Sequence, residues 1–481
     1  MHTTYDWKDP LTPEGVERLH ERSLEILRDL GIRVDHEDAL ALLEEHGCDV
    51  DRETKIVSFP PDLVERCVER APERFTLHAR NPDNDVAVGG DDYVMTPVYG
   101  PPNIRTYESG RRPSTIDDYE RMMKLVQRED PITCTGYNAC EPNDVDQEVK
   151  HVEMIRRSLT LTDHPVMGST YGEERAATSL DMVAIAVDDA DLSVPYAAGL
   201  VNSVPPRQWD TKMVGGLMEY ARRGQPVLIS PGVMAAASGP ATLAGTLALV
   251  NAENLSGIVI GQLVNPGAPV VYGALGTQVD VRHGSLAIGS PERSMCTSAG
   301  AQMARNYGLP SRGGGSQTDA KALNEQSGSE SAFTLQTTLD SGINFVVHAA
   351  GDMESHSTAS PEKFVLDCER IRHAERTRDG FELTEETFAL DLIESVESGD
   401  HFLSERHTLE HSKSEHYFTD LFDRQSYDDW QNDGAKDPRE KAHERVQAHL
   451  EAYERPPMDA GLERDLERFA DERTEEILGL A

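Results

Sequence analysis

The alternation of apolar and polar positions divides the chain into three stretches. Between residues 12 and 45, Val16, Leu19, Leu24, Ile26, Leu27 and Leu30, then Ala39, Leu40, Leu42 and Leu43, recur at helical spacing around Gly31. Thr12 ahead of Pro13 and Glu14 predicts an N-cap with proline in the first turn. Extended runs at 56–59 and 75–79, with a helix up to residue 70 between them, complete a small mixed region that shows no chemistry and suits a cap or an oligomerisation element.

Past Asp91 the period switches back and forth between two and 3.6. Extended runs are expected at 93–98, 132–137, 165–171, 194–202, 226–230, 269–274, 309–314 and 343–348, with helices between them at 115–128, 146–160, 173–187, 209–223, 240–257, 292–307 and 325–339. Nearly every extended run leaves into a loop of Gly, Pro, Asn or Ser, as in Gly313-Gly314-Gly315 and Ala349-Ala350-Gly351. Eight such units are what a closed parallel barrel requires, and in that fold sites are built at the strand ends. An open doubly wound sheet also satisfies the periodicity. Beyond residue 360 the pattern is helical again, at 363–377, 383–396, 438–454 and 459–478. The expected fold is therefore an α/β (β/α)8 TIM-type barrel over 91–360, with an N-terminal α+β cap over 1–90 and a C-terminal helical extension over 361–481, packed on the barrel or on a neighbouring subunit.

Charge narrows the partners. The 85 acidic and 46 basic residues leave a formal net charge of −39, spread over nearly every helical segment. That balance repels nucleic acid and anionic membranes, and a solvated acidic surface of this kind suits high salt, where screening acts over a few ångströms. Six cysteines without framework spacing point to a reducing cytoplasm. The start, MHTTYDWKDP, has no basic region followed by an apolar core, and no apolar run approaches the ~20 residues of a membrane span.

Candidate chemistry gathers at the expected strand ends. Tyr99, Tyr137, Tyr171 and Tyr272 fall there in a chain that is only 6% aromatic. An aromatic wall suits a quaternary ammonium through cation–π attraction worth ~0.5–2 kcal/mol per contact; a tyrosine at a polar boundary is equally an ordinary amphipathic residue. His348 ends its strand beside small residues and can hold a carboxylate or shuttle a proton, or else bond a backbone carbonyl. Lys321, near Asp319 in the loop after Gly315, invites a Schiff-base reading, but no apolar surroundings depress its pKa. Metal ligation finds little support: Cys134 and Cys140 flank a strand end, His283 stands alone, and His407 and His411 in HTLEH have no evident third ligand, nor do His401 and His416 supply one. No phosphate-cradle motif is present.

The segments SLEILRDLGIRV, PVYGPPN, HPVMGSTYG, LPSRGGGSQTDAK, INFVVHAAG and ASPEKFVLDCE, in this order over about residues 12–455, resemble the trimethylamine:corrinoid methyltransferase superfamily. The resemblance implies a (β/α)8 barrel that moves a methyl group from a methylated amine to the Co(I) of a separate corrinoid protein. It implies no metal and no tightly bound cofactor in this chain, the cobalamin being supplied by the partner. Members acting on trimethylamine contain pyrrolysine; this chain has only the twenty ordinary residues, which groups it with relatives that use quaternary amines such as glycine betaine. The same resemblance places Tyr99 and His348 in the donor site, with Arg312 or His348 available for a carboxylate. After HAAG, however, the chain reads DMESHSTAS where the family usually has an apolar, Gly-rich loop, so Asp352, Glu354 and His356 leave the donor open. Another betaine, trimethylamine or another tertiary methylamine, a sulfonium, a Schiff-base lyase and a barrel that binds without catalysis are the alternatives.

Overall fold

A computed structural model describes residues 8–480; the expectation of no targeting signal at residues 1–7 falls outside them. Seven parallel strands form one curled sheet: β1 Val94–Pro97, β2 Val166–Gly168, β3 Ala197–Val201, β4 Val227–Ile229, β5 Val270–Gly273, β6 Ser311–Gly314 and β7 Phe345–Ala350. Their order across the sheet is β1-β7-β6-β5-β4-β3-β2. Eight helices cover its outer face: α1 Ile116–Val126, α2 Lys150–Leu161, α3 Glu173–Val187, α4 Thr211–Arg222, α5 Leu243–Val264, α6 Pro291–Asn306, α7 Glu325–Asp340 and α8 Pro361–Asp379.

The extended run expected at 132–137 is not a strand. It lies in the gap between β1 and β2, where Thr133 N–H donates to Met95 O at 3.0 Å and Thr135 N–H to Pro165 O at 3.0 Å. Two side-chain hydroxyls interrupt the ladder. Thr133 Oγ1 takes the Met95 N–H at 3.1 Å, and Thr135 Oγ1 donates to Gly136 O at 2.7 Å. Side-chain bonds of this kind compete with a regular ladder, and Gly136 at φ 63° turns the chain away.

Period-two alternation sorts the strand residues between two cores. Met167, Ala198, Leu200, Leu228, Val271, Phe345 and Val347 point inward, together with Cys134 and with Phe75, Leu77 and Val88 of a hairpin that plugs one end. Val227, Ile229, Val270 and Tyr272 face the helices. One helix, α5, is long and apolar enough to cross a membrane by length and composition, against the expectation of no such run; 78% of that stretch is buried inside the protein. It packs against the N-terminal helix Pro13–Glu25 and against Pro61–Arg70, and it buries Asn251, Glu253 and Asn254.

Thr12 caps the Pro13–Glu25 helix, accepting from Gly15 N–H at 3.2 Å. The following segment, Ile32–Val34, runs parallel to Gln208–Trp209 and ties the leading region to the β3–α4 connection. At the other end, Pro438–Glu451 packs on α1 and α8, and Ala460–Ile477 on α2 and α3. The helix expected over 383–396 is split by Ala389 at φ 48° into two short turns. All six cysteines are free and buried.

Candidate active site

Three of the sequence-derived candidates meet in one cavity of about 250 Å³ at the carboxyl ends of the strands: Tyr99, Arg312 and His348. Tyr99 follows β1, and its backbone N–H donates to His348 Nδ1 at 3.2 Å, with the two rings edge-to-face and 6.5 Å apart. This bond makes Nδ1 the acceptor, so the imidazole proton sits on Nε2. Burial first, then His356 and the two nearby arginines, hold His348 well below the ordinary histidine range, which keeps it neutral. The register of β7 against β1 shifts between Val346 and Ala350, and His348 sits in that bulge at φ 63°. A left-handed residue of this kind costs on the order of 1–3 kcal/mol and persists where its surroundings over-determine it.

The remaining tyrosines lie elsewhere. Tyr137 stands behind Tyr99, ring centroids 6.3 Å apart, and is not part of the cavity wall. Tyr171 is exposed, its ring already covered by Lys212 at 4.1 Å and Arg175 at 5.6 Å. Tyr272 points outward, because alternation along β5 sends Val271 to the interior; its hydroxyl donates to Asn251 Oδ1 on α5 at 2.8 Å. Nor does the Schiff-base reading fit. Lys321 is exposed and outside the cavity, while Asp319 accepts from the backbone N–H of Ile288 and Gly289 and from Ser355 Oγ at 2.6–3.0 Å. Asp319 is thus a tie between loops.

Two cations of the cavity wall form no ion pair with another described residue, although Arg293 feels Asp352 and donates Nη1–H to Gly276 O at 3.1 Å. Arg312, from β6, and Arg293, from the first turn of α6, are both buried. Arg312 Nε has no hydrogen-bond partner. Burial, followed by Arg293, pushes the Arg312 guanidinium down to about 9, and burial brings Arg293 down to about 10. Buried charge without a partner is costly, so this end of the cavity is complementary to an anion.

The stretch reading DMESHSTAS also enters the site. It forms a hairpin, Asp352–Met353 pairing with Thr358–Ala359, whose turn residues Glu354, Ser355 and His356 all have φ between 53° and 68°. His356 joins the cavity wall and stacks on His348, centroids 4.0 Å apart and planes 28° apart. His348, Asp352 and His356 are one group of metal-ligand types, with atoms within 4.8 Å of one another. Stacked rings do not aim both in-plane lone pairs at a single ion, and two uncompensated arginines stand nearby, so the geometry disfavours a cation there. His407 and His411 stack at 4.2 Å on a surface helix, outside that group.

Arg293 was not legible as a site residue, and His356 showed only as a departure in the loop after HAAG, since each comes from a segment whose approach to the cavity depends on the tertiary fold. The triple glycine was the available signal. A Cβ on Gly314 would lie 2.3 Å from the Gln317 side chain, and one on Gly315 2.5 Å from Ala349 Cα.

Residues 1–478 match the family model described as trimethylamine methyltransferase (MTTB). The chain belongs to the MTTB family. It is accordingly a methyltransferase. This MTTB member is 40% identical to a glycine betaine methyltransferase of Desulfitobacterium hafniense, covering 97% of both chains. It is 30% identical to the trimethylamine methyltransferase MttB of the same species, over 97% of this chain and 94% of that one. To the proline betaine:corrinoid methyltransferase of Eubacterium limosum it is 30% identical, over 93% and 94%. The monomethylamine methyltransferase MtmB of Methanosarcina barkeri shares the fold at a TM-score of 0.54 and 11% identity, covering 94% of this chain and 91% of that one.

Proposed function

We propose that this MTTB member transfers a methyl group from a small quaternary ammonium carrying a carboxylate, of the glycine betaine class, to the Co(I) of a separate corrinoid protein. The observation that supports the carboxylate is the pair of buried arginines, Arg293 and Arg312, which form no ion pair with another described residue and share the cavity with Tyr99. A simple trimethylamine would leave both charges unanswered. In this reading residues 91–360 are the catalytic core of a cytoplasmic enzyme, a (β/α)8 barrel in which the 132–137 segment takes the place of one strand, flanked by a cap over 1–90 and a helical extension over 361–481.

The chemistry asks little of the protein. The nitrogen leaves with the electrons of the broken C–N bond as a neutral tertiary amine, so no proton donor is required. The residues of this chain bind and align: the Tyr99 ring faces the ammonium, the arginines take the carboxylate through charge-assisted bonds, and His348, held neutral, offers Nε2–H. Alignment of one methyl toward the open mouth supplies several kcal/mol of the barrier.

The test is incubation with Co(I) cobalamin and a panel of methylated donors, following methylcobalamin by its absorbance. Glycine betaine or a close relative is expected to react, and Tyr99→Ala and His348→Ala to fold normally while losing donor affinity or turnover. Absence of methylcobalamin from every quaternary carboxylate donor overturns the proposal.

A further inference from the structure

A chain of polar side chains runs from Arg293 to a fully buried carboxylate, and it belongs to the hairpin rather than to the strand ends. Arg293 Nε–H points at Gln317 Oε1 at 3.5 Å. Gln317 Nε2 lies 3.4 Å from His356 Nε2, and His356 Nδ1 lies 2.8 Å from Asp352 Oδ2. The two hydrogen bonds have a consistent donor order, guanidinium to amide oxygen and amide N–H to the imidazole Nε2 lone pair, which leaves Nδ1 as the ring nitrogen beside the carboxylate. Asp352 is 0% exposed, and its contact with His356 is out of hydrogen-bond alignment, so neither carboxylate oxygen has a hydrogen-bond partner. Two cations feel this charge, Arg293 itself and Lys363, the latter paired with Asp367 at 2.6 Å.

A buried carboxylate in this state is expensive. The hairpin that carries it also holds three successive residues in left-handed backbone, each costing on the order of 1–3 kcal/mol. It is clamped all the same: Glu354 N–H bonds Ala320 O at 3.2 Å, Ser355 N–H bonds Thr318 O at 3.1 Å, and Arg111 pairs with Glu354 at 2.8 Å. Strain and buried charge held by so many contacts point to a role at the cavity.

We propose that Asp352 and His356 are positioning residues that act through Gln317 to aim Arg293 at the anionic end of the donor, making the 352–359 hairpin the element that selects carboxylate-bearing donors. This inference rests on the carboxylate reading of the donor given above.

Calorimetric titration with three probes tests it: glycine betaine, tetramethylammonium (cation without carboxylate) and tert-butylacetate (carboxylate without cation). Asp352→Asn is expected to weaken glycine betaine and tert-butylacetate by about tenfold or more, the size of one charge-assisted contact, with tetramethylammonium changed by less than about twofold; His356→Ala, which also removes part of the cavity wall, is expected to weaken the two carboxylates more than tetramethylammonium. His356→Gln, which keeps a donor and an acceptor, restores most of the loss. Equal weakening of all three probes, or of none, overturns the inference. Wild-type protein that binds tert-butylacetate but not glycine betaine refutes the proposed donor and leaves the hairpin's role standing; wild-type protein that binds neither carboxylate refutes both.

Discussion

At the scale of single residues, the site depends on where side chains are missing as much as on where they are present. Gly314 leaves the space filled by the Gln317 amide, and a Cβ there would lie 2.3 Å from its Cδ. Because the obstacle is the far end of a flexible side chain, Gly314→Ala is expected to cost little stability and to swing Gln317 out of its link to Arg293. Glycine betaine affinity should then fall as in Asp352→Asn while the urea midpoint stays close to wild type; an unchanged affinity by calorimetry refutes this. Tyr99, Arg312 and His348 were legible in the sequence because each stands beside small residues at the end of an extended run. Tyr272 misled for a reason the same sequence contains: the inward Val271 precedes it, so alternation sends the phenol to α5. Tyr171 lies beyond its strand, where Lys212 and Arg175 cover it.

Elements show how loops remote in sequence become one wall. Asp319 gathers the 286–289 segment, the loop after β6 and the 352–359 hairpin through Ile288 N–H, Gly289 N–H and Ser355 Oγ. Asp319→Ala removes the acceptor of three donors at once and is expected to cost about 1.5–3 kcal/mol, the worth of hydrogen bonds to a charged group, read from urea unfolding. Periodicity found seven of the strands and the helices between them. It over-read 132–137, because Thr133 and Thr135 carry β-branched side chains whose hydroxyls here replace ladder bonds with local ones. The hairpin was beyond its reach, since two-residue strands flanking left-handed turn residues leave no periodic trace.

For the molecule as a whole, buried histidines set how acid is tolerated. His151 on α2 is buried, and burial, followed by Arg175, lowers it to about 4. Burial lowers His164 and His348 as well. A depressed folded-state value means that the unfolded chain binds the proton more readily. Stability is therefore unaffected above the ordinary value near 6.5 and is lost as pH falls below it, until the folded group itself titrates near 4. Replacing the imidazole removes this term. His151→Leu is expected to lose about 2–3 kcal/mol less than wild type between about pH 7 and pH 4.5, measured by denaturant unfolding at both pH values; identical losses refute the assignment.

Arg293 and Arg312 face the same hollow, and neither forms an ion pair with another described residue. Each depends on an outside molecule for neutralisation, so the residues that recognise the donor are also ones that fight the fold. A neutral, similarly shaped side chain in place of Arg312 would give a sturdier protein that no longer recognises its donor. Durability and discernment are thus set against each other at two positions, and selection for one there comes at the expense of the other.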